Sequence, residues 1–149
     1  MIKTFKNLEE MESYYNYKTD TYEFIENGNL IDIVIDFELD INSNIRAGNI
    51  KAMNIKAMDI TAWDIQAEDI RAEDITAYDI KALYIQALDI KALDIKAVNI
   101  CAENINANNI LYYSVCYASS NFVCNSIKGT RPNSKHFCLD SDVVIRNKK

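Results

Sequence analysis

Apolar and polar positions recur along this chain with a period of five. Isoleucine occupies every fifth position from Ile45 to Ile110, and alanine follows two places behind from Ala47 to Ala107, both without a miss. A polar column precedes each isoleucine: Asn49, Asn54, Asp59, Asp64, Asp69, Asp74 and Asp79, broken by Tyr84 and resumed at Asp89. Five residues advance an α-helix by roughly 500°, which smears the isoleucines around its circumference. In a flat strand an odd period throws successive isoleucines onto opposite faces. The chain must therefore turn a corner once per unit, which predicts a solenoid.

The remaining columns say which side chains point in. The residue after each isoleucine is polar over most of the array (Lys51, Lys56, Thr61, Gln66, Arg71), so that column faces water. The residue after each alanine includes Glu68, Glu73 and Glu103. Burying these unpaired would cost several kcal/mol each, so this column is outward too. Only isoleucine and alanine fill the core.

Upstream, Ile31, Ile33, Ile35, Phe37, Leu39 and Ile41 alternate with Asp32, Val34, Asp36, Glu38 and Asp40. This period of two predicts one half-buried strand over residues 31–41, laid across the open end of the solenoid as an acidic cap. Asn7 followed by Glu9 and Glu10 predicts a short helix near the start. The chain divides into an acidic cap (1–44), the repeat array (45–127) and a basic tail (128–149), with a short strand expected over Asp142 to Ile145.

The unit resembles that of the pentapeptide-repeat family: a small residue, Asp or Asn, a large apolar residue, then two outward residues. Ser120-Asn121-Phe122 matches that unit, and Asn125-Ser126-Ile127 follows. In the main array the large residue comes first and the small one third. The resemblance implies an all-β fold, a right-handed quadrilateral parallel β-helix with one unit per side and four per coil. It implies about four coils in a rod roughly 20 Å tall at ~4.8 Å per coil. In that register Lys51, Arg71 and Lys91 stack, Asp59 lies under Asp79, and Trp63 lies under Leu83. Tyr112, Tyr117 and Phe122 take inward alanine positions and plug the C-terminal end, where family members often dimerise.

Charge changes the picture next. Residues 1–44 carry 3 basic and 10 acidic groups (−7), residues 45–110 carry 7 and 10 (−3), and residues 111–149 carry 6 and 2 (+4), giving the net −6. The start has no apolar leader and no run is long enough for a membrane span, so a cytoplasmic location is expected. Four cysteines (Cys101, Cys116, Cys124, Cys138) then read as reduced thiols. Cys116, Cys124, His136 and Cys138 carry the residue types of a zinc site in a spacing that matches no common one. With one histidine, a filled core and no phosphate-binding loop, no catalytic residue or cofactor is assigned.

What remains is binding. The resemblance implies a bacterial or phage protein that occupies a nucleic-acid-acting host protein, such as a nuclease, a CRISPR effector or a topoisomerase, by acidic mimicry. The candidate acidic residues are Asp32, Asp36, Glu38, Asp40, Asp59 and Asp79. An apolar belt of Trp63, Tyr78, Leu83, Tyr84, Leu88, Leu93 and Tyr113 is the candidate protein contact or homodimer interface. The alternative is an assembly module that works by self-association. Direct nucleic-acid binding by Lys128, Arg131, Lys135, Arg146, Lys148 and Lys149 is the weakest reading, for want of interleaved aromatics.

Overall fold

The computed structural model describes residues 1–146. It is an all-β solenoid of about seven turns whose strands stack in parallel. The inward assignment holds: Ile45 to Ile110 are all at most 2 % exposed, and the alanines beside them are buried, apart from the half-buried Ala52 and Ala72.

The number of units per coil is three. Ile45 pairs with Ile60 and Ile60 with Ile75; Ile50 pairs with Ile65 and Ile65 with Ile80; Asn54 pairs with Asp69, and Asp69 with Tyr84. Each pair is 15 residues apart, so the rod is a three-sided prism, which corrects the four-sided expectation. Core volume favours the triangle. Shared among its inward Ile/Ala pairs, a triangular section offers each pair roughly 0.14 of the squared side length, against roughly 0.25 for a square, and interiors are close-packed. Alanine beside each corner leaves room for the sharper bend.

Three faces follow, each one strand wide. The lysine face stacks Ile50, Ile65 and Ile80, flanked by Lys51, Gln66 and Lys81. The arginine face stacks Ile55, Ile70 and Ile85, with Lys56, Arg71 and Gln86. The threonine face stacks Ile45, Ile60 and Ile75, with Arg46, Thr61 and Thr76. About seven coils at ~4.8 Å make a rod of roughly 34 Å, taller than the sequence suggests because a fifteen-residue coil gives more coils and because both flanks also wind.

At the N-terminal end the single strand expected over 31–41 is two strands of one coil. Asp32–Ile35 pairs with Ile50–Ala52, and Leu39–Asp40 pairs with the strand at Ile55. The inward positions run 31, 33, 35, then 39 and 41, and the four-residue step at Asp36 to Glu38 is a corner. Its first strand, Asp32–Ile35, is itself covered by Ile2–Phe5, so the segment is no lid. The true cap is aromatic. Phe5, Phe24 and Tyr14 pack with ring centres 5.1–5.7 Å apart, and Met11, from a 3₁₀ turn over Glu9–Tyr14, is fully buried. Asn7 Oδ1 accepts the Glu10 N–H at 3.0 Å and Glu10 Oε2 accepts the Lys6 N–H at 2.8 Å, but the N-cap position falls on Leu8, one residue past the Asn7 expected there.

The C-terminal segment continues the rod. Lys135–Cys138 pairs with Val115–Ala118, and Val143–Ile145 with Phe122–Cys124. Inward positions here run 110, 112, 116, 118, 122 and 124. Two corners each gain a residue, and Asn121 accordingly meets Asn104 seventeen residues back. Phe122 therefore takes an isoleucine position, and Tyr117 is half-exposed; of the three expected plugs only Tyr112 replaces an alanine.

Candidate functional site: an acidic edge and a charged face

A three-unit coil rearranges every outward column. The aspartates form two ladders, Asp59–Asp74–Asp89 on the threonine face and Asp64–Asp79–Asp94 on the lysine face. Asp59 and Asp79 therefore lie on different faces, and Lys51, Arg71 and Lys91 on three. Desolvation first and ladder repulsion second act on these carboxyls. Partial desolvation, then Asp59, Asp89 and Glu73, raise Asp74 above the ordinary carboxylate value; desolvation, then Asp64 and Asp94, raise Asp79. Both ladders end in amides: Asn104 Nδ2 donates to Asp89 at 2.5 Å and Asn109 Nδ2 to Asp94 at 2.6 Å.

The six acidic candidates are not one surface. Asp32 and Asp79 lie on the lysine face three coils apart, Glu38 and Asp40 flank Leu39 in the arginine-face stack, Asp36 is at a corner, and Asp59 is on the threonine face. Asp40 is paired with Lys56 at 3.0 Å. Asp32 is a structural group: its Oδ1 accepts the Asn49 N–H at 2.8 Å, and a Cβ on Gly48 would come within 2.6 Å of it.

The apolar belt is redistributed as well. Tyr78 bonds through its backbone to Trp63 and Leu83 to Glu68, so Trp63 lies under Tyr78 rather than Leu83. Trp63, Tyr78 and Leu93 run up the edge between the threonine and lysine faces. Leu83, Val98 and Tyr113 run up the edge between the lysine and arginine faces, with Tyr84 beside Leu83 over Asp69. Leu88 sits on the third edge above Glu73.

That third edge was missed in the sequence because it exists only at fifteen residues per coil. Glu73 and Glu103 project from it, and the ladder Asp59–Asp74–Asp89 runs beside it, with no basic group among the described residues within ion-pairing distance. Among the described residues the ion pairs are Lys3–Glu26 and Lys56–Asp40, both elsewhere. Five negative charges over three coil steps, about 14 Å, give roughly one per 3.6 Å, near the ~3.4 Å per charge along one strand of duplex DNA.

The cysteine–histidine set has no shared centre. Cys116 and Cys124 point into the core, where burial pushes both thiols up, and His136 Nδ1 lies 2.8 Å from the Tyr112 hydroxyl. Among the described residues no group of three or more His, Cys, Asp or Glu is gathered as for a metal, and no helix is long and apolar enough to cross a membrane. Of the basic tail, Arg146 hydrogen-bonds Asn106, Arg131 lies over the Tyr113 ring, and Lys148 and Lys149 fall outside the described residues. No protein family, curated protein or solved structure matches the chain.

Proposed function

We propose that this protein is a non-catalytic binding protein, a three-sided variant of the pentapeptide-repeat type, that offers its acidic edge to a basic protein surface built for nucleic acid. The observation that carries this is the unneutralised row Asp59, Glu73, Asp74, Asp89 and Glu103 at near-phosphate spacing. A rigid ladder holds these charges without conformational cost on binding. A solenoid core filled by Ile and Ala supplies a frame, not a pocket for chemistry. The proposed setting is the cytoplasm of a bacterial or phage-infected cell, where a nuclease, CRISPR effector or topoisomerase carries such a basic surface.

The test is capture from a bacterial lysate by the full chain, with Asp59→Asn, Glu73→Gln, Asp74→Asn and Asp89→Asn combined as the comparison. Nucleic-acid-acting proteins should bind the wild type, elute with rising salt as counterions compete, and fail to bind the variant. Equal capture by both chains would refute the edge.

A further inference from the structure

The lysine face differs from the rest of this acidic molecule in being electrically balanced. A groove of about 830 Å³ runs along it from Ile2 to Lys128. One wall carries Asp32, Asp64, Asp79 and Asp94; the other carries Lys51, Lys81, Lys96 and Lys128. Four against four gives zero net charge, in a chain whose total is −6. The two walls stand two residues apart on each strand, about 6.7 Å, and none of these side chains is ion-paired across the groove. The rims are apolar and exposed, with Tyr78 and Leu93 beyond the aspartates and Leu83 beyond the lysines, 47–60 % exposed.

We propose that this face docks a second copy of the same chain, the two rods lying side by side and parallel about a two-fold axis that runs along them. Symmetry makes the choice of orientation. A two-fold axis parallel to the rod exchanges left and right on the face and preserves height. Asp79 of one copy then meets Lys81 of the other, Asp94 meets Lys96, and each contact occurs twice. The rims meet in the same operation, Tyr78 against Leu83 and Leu93 against Val98. An axis across the rod would instead set aspartate on aspartate and lysine on lysine.

Dimensions agree. Packed sheets lie about 10 Å apart, a gap that a long lysine opposite a short aspartate spans. Both copies share one coil repeat, so the two coils that carry an aspartate and a lysine together stay in register, while Asp64 faces Gln66 and Lys51 faces Asn49 across the seam. A face of five residues by about seven coils covers roughly 500 Å² per copy, about 1,000 Å² in total, at the low end of specific interfaces. The expected dimer is therefore modest in affinity and sensitive to salt. The acidic edge lies at the apex opposite the lysine face, so pairing leaves it free on both copies.

Sedimentation equilibrium on the full chain, with charge exchange, tests this. At about 100 µM the wild type should be dimeric in about 20 mM salt, and at least tenfold weaker in about 1 M salt, where screening shortens to ~3 Å. Lys81→Asp with Lys96→Asp makes both walls acidic, and Asp79→Lys with Asp94→Lys makes both walls basic; each should be monomeric alone. Mixed in equal amounts they should form a heterodimer, which also proves that both are folded. Should either fail to fold, Tyr78→Ser with Leu93→Ser removes a rim, keeps the charges and should weaken the dimer at least tenfold. A monomeric wild type at low salt, a dimer that survives in a folded charge or rim variant, or a mixture of folded charge variants that stays monomeric would overturn the proposal. None of these substitutions touches Asp59, Glu73, Asp74, Asp89 or Glu103, so lysate capture reports on the acidic edge separately.

Discussion

Replacing Ile80 by alanine removes three carbons from the middle of the lumen, at a side chain 1 % exposed between Ile65 and Ile95 of the adjoining coils. At roughly 0.8 kcal/mol per buried carbon the lost transfer energy is about 2.4 kcal/mol. The void left behind, on the order of 80 Å³, adds up to roughly 2 kcal/mol where neighbours cannot move in. Here they are held, because the backbone ladders above and below fix the coil spacing. The cost should therefore fall near 4 kcal/mol, a large share of the roughly 5–15 kcal/mol typical of a whole domain. Urea unfolding followed by far-UV circular dichroism reads it directly, at one fixed protein concentration because association shifts the midpoint. Two comparisons give the number meaning. Ile127→Ala, at a half-buried position in the last full coil, should cost less than half as much. Thr76→Val, on an outward column, should stay within about 0.5 kcal/mol. A loss below about 1 kcal/mol at Ile80, or one equal to that at Ile127, would refute a filled lumen with isoleucine at its centre.

Gly48→Ala should destabilise by about 1–3 kcal/mol, because its Cβ would meet Asp32 Oδ1 at 2.6 Å and the Ile31 backbone at 3.1 Å; an unchanged urea midpoint would show that the first corner is looser than described. Carbon-detected titration of the carboxyls should place Asp74 and Asp79 above the ordinary aspartate midpoint, the direction set by desolvation and then by ladder repulsion. For an acid raised on folding, the folded state holds its proton more tightly. These two groups therefore oppose folding at neutral pH, and that penalty is relieved as pH falls through the raised values. Asp74→Asn should accordingly raise the melting temperature at pH 7 and make no such difference near pH 3.

The local rules were legible in residues alone. Strict recurrence of Ile45 to Ile110 and Ala47 to Ala107 fixed a corner in every unit, and three glutamates in the post-alanine column fixed what faces out. The short helix expected after Asn7 is present as a 3₁₀ turn over Glu9–Tyr14, with its N-cap one residue later, at Leu8. One local signal was overlooked: Asn27-Gly28, whose positive φ angles of 50° and 79° close a tight hairpin between Ile25–Glu26 and Asn29–Leu30. Even so, a period of five is the same for three sides as for four. The count is decided by how much lumen the summed Ile and Ala volumes can fill, a property of the closed coil and of no single unit. Every lateral neighbour depends on that count. Whether Trp63 lies under Tyr78 or Leu83, whether Asp59 stacks on Asp74, and whether Glu73 stands beside an aspartate ladder all follow from fifteen residues per coil. The flanks add the same lesson. Asp32–Ile35 and Val143–Ile145 lack the five-residue mark, and they join the rod because an uncovered parallel strand offers them a row of free backbone hydrogen bonds.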